Sequence, residues 1–253
     1  MHQHSKVDRR SFLKRGAAGL AVLAGVPALP FALEELGRLK SRPRTMRRKL
    51  PIGEHVLASD GGRQSILFVP STYDANEPTP FLLTLHGATG SGDAMLRATR
   101  PAAEKHGVVV LAPSSRGVTW DAIRGPFGDD LARIDQMLGE VFDQCMIDPL
   151  HLGIAGFSDG ASYSISAGII NGDLFTHVIG HSPGFIIPGS VHGRPKIYIS
   201  HGRQDTVLPI DQCGRRVAQQ LEREAYVLRF DEFDGGHKAS PEIRETAMQW
   251  FVG

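Results

Sequence analysis

The sequence predicts an α/β fold, a mostly parallel central sheet with helices packed on both of its faces. Three observations predict it. Short, nearly continuous apolar runs such as "PFLLTLHG" and "VVVLAPSS" have the character of strands buried on both sides. Segments with helical spacing lie between such runs, so strand and helix alternate over about 200 residues. A chain of 253 residues, 41% of them hydrophobic, suits one well-buried domain better than two.

The elements follow in order. "HVLASDGGRQSILFVPSTYD" reads as a hairpin turning at Asp60-Gly61-Gly62, and "PFLLTLHG" as the first buried strand. "DAMLRATRPAAEKHG" is a helix that Gly107 closes as C-cap, and "VVVLAPSS" is the next strand. Asp129-Asp130 opens "LARIDQMLGEVFDQCM", apolar at 131, 134, 138, 141 and 142; the paired carboxylates read as caps at the positive helix end rather than as a metal site. A strand over His151–Phe157 leads into a helix from Asp159. Strands in "THVIGHSPG" and "KIYISHG", a helix in "DQCGRRVAQQLEREA", a strand in "YVLRFDEFD" and a helix in "SPEIRETAMQWF" complete the chain. Cys145 and Cys213 fall on different helices and read as two separate thiols.

Charge divides the chain unevenly. Residues 1–50 hold 12 Lys/Arg against 3 Asp/Glu, net +9, which leaves 16 against 24, net −8, for residues 51–253. The acidic body argues against a nucleic-acid partner. In the basic part, "DRRSFLKRG" sets Arg9-Arg10 before Phe12-Leu13-Lys14 and a moderately apolar run, "GAAGLAVLAGVPALPFAL". This resembles a twin-arginine export signal, and Pro27, Pro30 and the glycines weaken the competing reading as a membrane-spanning helix. Cleavage could follow Val26-Pro27-Ala28 or Phe31-Ala32. The chain then divides into a signal segment (1–36), a basic solvated linker (37–50) and a folded body (51–253). The expected destination is periplasmic or extracellular, with the twin-arginine translocation machinery as partner during export, or a membrane anchor if the segment stays uncut.

The chemistry centres on "HLGIAGFSDGASY". Ser158 stands between Gly156 and Gly160 where the strand ends and the helix begins, the point beyond which an open parallel sheet places its ligands. Flanking glycines allow a tight turn that presents the serine, and the helix N-terminus favours negative charge developing beside it. A serine hydroxyl needs a base held by a carboxylate. Asp205 in "YISHGRQDTVLP" and His237 in "FDEFDGGHKAS" each lie just past a strand, with Gly235-Gly236 leaving the histidine loop room to reach Ser158. His181 and His201 are rival bases, and Asp211, Asp231 and Asp234 rival acids. His181 precedes the acid, His201 belongs to its strand, Asp231 falls within the last strand, and Asp234 is too near His237.

"TLHGATGSG" follows a strand and suits a close backbone turn, so the N–H of Ala88 can join that of Asp159 as donors to an oxyanion. "LHGATG", "GFSDG", "HGRQDTVLP" and "GGH", in that order, resemble the phospholipase/carboxylesterase and dienelactone-hydrolase group of α/β-hydrolases, including poly(3-hydroxybutyrate) depolymerase-like and feruloyl-type esterases. The resemblance covers about residues 65–252 and implies an α/β-hydrolase fold, the chain order Ser, Asp, His, and cleavage of a small-molecule or oligomeric carboxylic ester through an acyl-enzyme. It also implies a serine rather than a cysteine nucleophile, no cofactor, and a loop-orienting role for His86. Asp159 stands where many carboxylesterases of the group have Gln, and reads as a helix cap rather than as a carboxylate that repels acidic substrates.

Only "SPGFIIPGSVHGRP" separates the strands on either side of the usual lid position, too short for a cap domain, so an open site is expected. Trp120 and Asp121 in "SRGVTWDAIRGPFG" read equally as a pocket wall favouring an aromatic or short acyl group and as a packed loop. Two other functions stay open beside ester hydrolysis: a peptidase or acyltransferase on the same fold, and a catalytically silent binding module.

Overall fold

A computed structural model describes residues 36–253. The Arg9-Arg10 motif, the apolar run and both candidate cleavage points lie outside the described residues. The strands are β1 (Gly53–Asp60), β2 (Arg63–Val69), β3 (Thr79–Leu85), β4 (Val109–Ala112), β5 (Ile147–Phe157), β6 (His177–His181), β7 (Lys196–Gly202) and β8 (Leu228–Phe233). The helices are α1 (Gly92–His106), α2 (Asp129–Gln144), α3 (Asp159–Ile170), α4 (Gly214–Arg223) and α5 (Pro241–Val252).

All eight strands form one sheet in the order β1-β2-β4-β3-β5-β6-β7-β8. β2 pairs antiparallel with β1 and β4, and every later pairing is parallel. The expected α/β architecture is therefore present, with an antiparallel hairpin at one edge. Successive strand residues serve opposite faces: Leu82 and Val110 meet the layer containing α1 and α5, while Leu83 and Leu111 meet the layer containing α2, α3 and α4. Burial on both sides is why these strands are apolar without alternation. Each fully buried Leu or Phe contributes about 1.5–3 kcal/mol of transfer free energy.

The first two helices show one end as expected and one that differs. Gly107 closes α1 in the left-handed conformation (φ 65°), as its position suggests. At α2, however, the N-cap is Gly128, and neither Asp129 nor Asp130 caps. The capping carboxylate comes from Asp121, whose Oδ2 accepts the N–H of Gly128 (3.0 Å) and of Asp130 (2.8 Å). Asp130 is buried instead and accepts from the backbone of Arg116 and Asp121 at 2.8 and 2.9 Å. Burial raises its pKa above the usual carboxylate value. Cys145 and Cys213 are buried free thiols at the ends of α2 and α4.

Residues 37–50 are not a solvated linker. Leu39 is 1% exposed and belongs to the core. The Asn171 side chain accepts from the Leu39 N–H and donates to the Gly37 carbonyl, both at 2.8 Å. Asp135 takes the N–H groups of Lys40 and Ser41, Asp173 pairs with Arg38 and Arg42, and Asp143 pairs with Arg44. The basic segment lies as a strap along acidic residues of the body, so part of the charge asymmetry is internal complementarity.

Candidate active site

β5 delivers Phe157 and α3 begins at Asp159, so Ser158 must turn the chain in one residue. It does so at φ 58° and ψ −120°, a conformation that non-glycine residues avoid. The turn is held because the Ser158 N–H donates to the His181 carbonyl at 2.9 Å and its carbonyl accepts from Ala161 and Ser162. It is also crowded. A Cβ on Gly156 would sit 2.1 Å from the Gly160 carbonyl oxygen, and one on Gly160 would sit 2.4 Å from that of Leu85. Glycine is therefore a steric requirement on both sides of the serine.

His237 lies against this turn, its ring 4.8 Å from that of Phe157. Its Nε2 is 2.9 Å from Ser158 Oγ, and its Nδ1 is 2.7 Å from Asp205 Oδ2. An ionised carboxylate only accepts, so the Nδ1 proton faces Asp205 and bare Nε2 faces the serine hydroxyl. Asp205 is fixed by its other oxygen, which accepts from the N–H of Val207 (2.9 Å) and Leu208 (2.8 Å). The loop carrying His237 is tied to the one carrying Asp205 through Gln204 N–H and the Gly235 carbonyl, 2.9 Å apart. Burial leaves Ser158 9% exposed and Asp205 5% exposed.

The rivals are engaged elsewhere. His181 is buried and pairs with Ser200 Oγ at 2.7 Å; Asp211 pairs with Arg215, Asp231 with Tyr198 and Arg229, and Asp234 with Arg203. His201 stands behind the acid, its Nε2 2.8 Å from the Leu208 carbonyl and 3.3 Å from Asp205 Oδ2.

Ala88 lies in a turn that closes between Gly90 N–H and the Gly87 carbonyl at 3.0 Å. That turn abuts the serine, since a Cβ on Gly87 would start 3.2 Å from Ser158 Cβ. Among the described residues neither the Ala88 nor the Asp159 N–H donates to a backbone carbonyl outside the regular elements. His86 fixes the turn: Nδ1–H donates to the Gly87 carbonyl (2.7 Å), and Nε2 accepts the Ser115 N–H (3.0 Å). Burial, aided by the Arg63 charge, pushes its pKa down to about 4, so the ring is neutral at pH 7.

One open reading is decided and one expected role changes. Trp120 is 1% exposed, its ring lies tilted with its centre 4.7 Å from that of His86, and its Nε1–H donates to the His86 carbonyl at 2.8 Å. It is packed behind the turn and forms no pocket wall; Asp121 likewise serves the α2 cap. Asp159 occupies the first turn of α3 and caps nothing; its carboxylate accepts from Thr119 Oγ1 at 2.7 Å.

Arg63 was not singled out by any motif, yet it donates to the carbonyls of both Gly90 and Gly117 and so clamps the Ala88 turn to the loop after β4. No local signal marks it, because its partners come from loops 27 and 54 residues away.

No family model matches the chain. The probable feruloyl esterase C of Aspergillus oryzae is 27% identical over 213 residues, covering 71% of this chain and 77% of that protein. Feruloyl esterase C of Emericella nidulans is 28% identical over the same length, covering 71% and 78%. Among solved structures, the acetyl xylan esterase of Aspergillus awamori superposes with a TM-score of 0.62 at 16% identity, covering 79% of this chain and 98% of that one. The ferulic acid esterase AmCE1/Fae1A of Anaeromyces mucronatus gives 0.56 at 17% identity, covering 83% and 94%. The fold is that of the α/β-hydrolases. Within that class the chain is a carboxylic ester hydrolase, the activity to which its curated relatives point.

Proposed function

We propose that this chain cleaves carboxylic esters by serine nucleophilic catalysis, with Ser158 as nucleophile, His237 as general base and acid, and Asp205 orienting the imidazole. The observation that carries the reading is the unbroken hydrogen-bond chain from Ser158 Oγ through His237 to Asp205. As Oγ attacks the ester carbonyl carbon, its proton passes to His237 Nε2, and the Asp205 carboxylate stabilises the imidazolium. The N–H groups of Ala88 and Asp159 receive the oxyanion, aided by the positive end of α3. His237 then protonates the leaving alkoxide. Water, activated by the same imidazole, releases the acid from the acyl-enzyme.

The substrate class we infer is an ester of a hydroxycinnamic acid. It rests on the feruloyl esterases among the relatives, now that Trp120 no longer argues for an aromatic pocket. Export by the twin-arginine route, to the periplasm or beyond, rests on Arg9-Arg10 and Phe12-Leu13-Lys14 alone.

A fluorophosphonate should modify Ser158, located by peptide mass, and methyl ferulate should be turned over while an aminoacyl anilide is not. Labelling at another serine would overturn the nucleophile. Turnover of p-nitrophenyl acetate without methyl ferulate would keep the chemistry and discard the substrate class. Replacing Arg9 and Arg10 by lysine should leave active enzyme in the cytoplasm; undiminished export would discard the route.

A further inference from the structure

On the sheet face covered by α1 and α5, directly behind the Ser158 turn, lies a small cavity that the ester chemistry does not use. Four elements bring a polar side chain to it: Thr84 from β3, Thr99 from α1, His181 from β6 and Arg244 from α5. The remaining walls are aliphatic. The space is small, with room for one small occupant.

The two threonines share an unmet need. Thr84 is 1% exposed and Thr99 4% exposed, and neither hydroxyl has a hydrogen-bond partner. Thr99 lies within a helix yet does not return its hydroxyl to the preceding turn, as threonines there commonly do. Arg244 donates from Nε to the Ala239 carbonyl at 3.2 Å, and its Nη1 lies 3.8 Å from Met95 Sδ. Among the described residues no carboxylate pairs with it. Burial alone pushes the guanidinium pKa down to about 10, which leaves it a cation at pH 7 with no opposite charge beside it. Such a charge is costly unless something nearby compensates it. His181 uses Nδ1 toward Ser200 Oγ, which leaves Nε2 as the nitrogen available to the cavity.

We propose that this cavity is a site for one small monovalent anion, and specifically chloride. The guanidinium excludes a cation. A water molecule would satisfy the hydroxyls but leave the Arg244 charge uncompensated, whereas an anion accepts from two Thr hydroxyls, the imidazole and the guanidinium while cancelling that charge. Occupancy would also brace β6 where the His181 carbonyl holds the Ser158 N–H.

The test follows the melting of the whole protein in sodium chloride against sodium methanesulfonate at constant ionic strength. Chloride should raise the Tm saturably, by about 3–6 °C at ten times its dissociation constant. A Thr84→Val, Thr99→Val double variant should weaken the chloride response at least about tenfold while hydrolysing esters as before. In bromide-soaked crystals of the unmodified protein an anomalous peak should lie within hydrogen-bond reach of the Thr84 and Thr99 hydroxyls. Coincident melting curves in the two salts, or a water without anomalous signal in that place, would overturn the proposal.

Discussion

His201 Nε2 lies 3.3 Å from the same Asp205 oxygen that accepts from His237. The His201 side chain is completely buried, and its Nε2 proton is shared with the Leu208 carbonyl at 2.8 Å. Burial lowers its pKa, so it stays neutral and acts on Asp205 as a dipole rather than as a charge. We expect His201→Phe, which keeps a ring but removes the donor, to lower kcat roughly tenfold, equivalent to about 1.4 kcal/mol, with little change in KM. Steady-state kinetics with p-nitrophenyl acetate checks this. An unchanged kcat in a folded variant would reduce His201 to core packing.

The backbone strain at Ser158 gives a second expectation. Alanine removes the hydroxyl but keeps the Cβ at φ 58°, whereas glycine also relieves the conformation. Both variants should lose ester hydrolysis by about a thousandfold or more. Ser158→Gly should be more stable than Ser158→Ala by about 1 kcal/mol, read as a Tm about 2–4 °C higher. Equal melting points would mean that the tertiary contacts around the elbow absorb the strain at no cost.

What could be seen in the sequence was whatever depends on chain direction and local pattern. Ser158, Asp205 and His237 each follow a strand, and parallel strands carry all such ends to one edge of the sheet, so their meeting is legible without any contact being known. The orientation of Trp120 was not legible. Which way its ring turns depends on the His86 carbonyl, 34 residues away, and a loop aromatic looks the same whether it faces substrate or core. Asp159 misled for a related reason. A carboxylate at a helix start favours the positive end whatever else it binds, and here Thr119 claims it. The strap was hidden because its partners, Asp135, Asp143 and Asp173, lie some 95 to 135 residues onward in sequence.

The strap yields a third expectation. Arg38, then Arg42, holds the Asp173 carboxyl well below its ordinary pKa. A depressed carboxylate pKa stabilises the fold fully above the unfolded value of about 4, and that contribution is lost as pH falls through the folded value. The Asp173 side chain is 38% exposed, so solvent screening leaves about 0.5–1 kcal/mol. Asp173→Asn should therefore melt lower than the unmodified chain at pH 7, with the gap closing below about pH 4. A gap that persists unchanged at pH 2–3 would assign the loss to packing instead of charge.

Acid should weaken the fold earlier, through buried histidines. Burial pushes His86 and His177 down to about 4 and His181 to about 3. In the unfolded chain a histidine takes its proton near 6.5, so unfolding takes up protons between that value and the folded one. Stability from these residues is thus complete above about pH 6.5 and declines as pH falls toward 4. His177 isolates the effect, because it packs away from Ser158, edge-on against Trp250 and Phe251. His177→Phe preserves an aromatic ring there and removes the proton site. Its unfolding free energy should fall less steeply between pH 6.5 and 4, by up to about 3 kcal/mol over the interval. Urea melts at half-unit pH steps measure the two slopes; parallel profiles would show that His177 keeps an ordinary affinity for its proton in the folded protein.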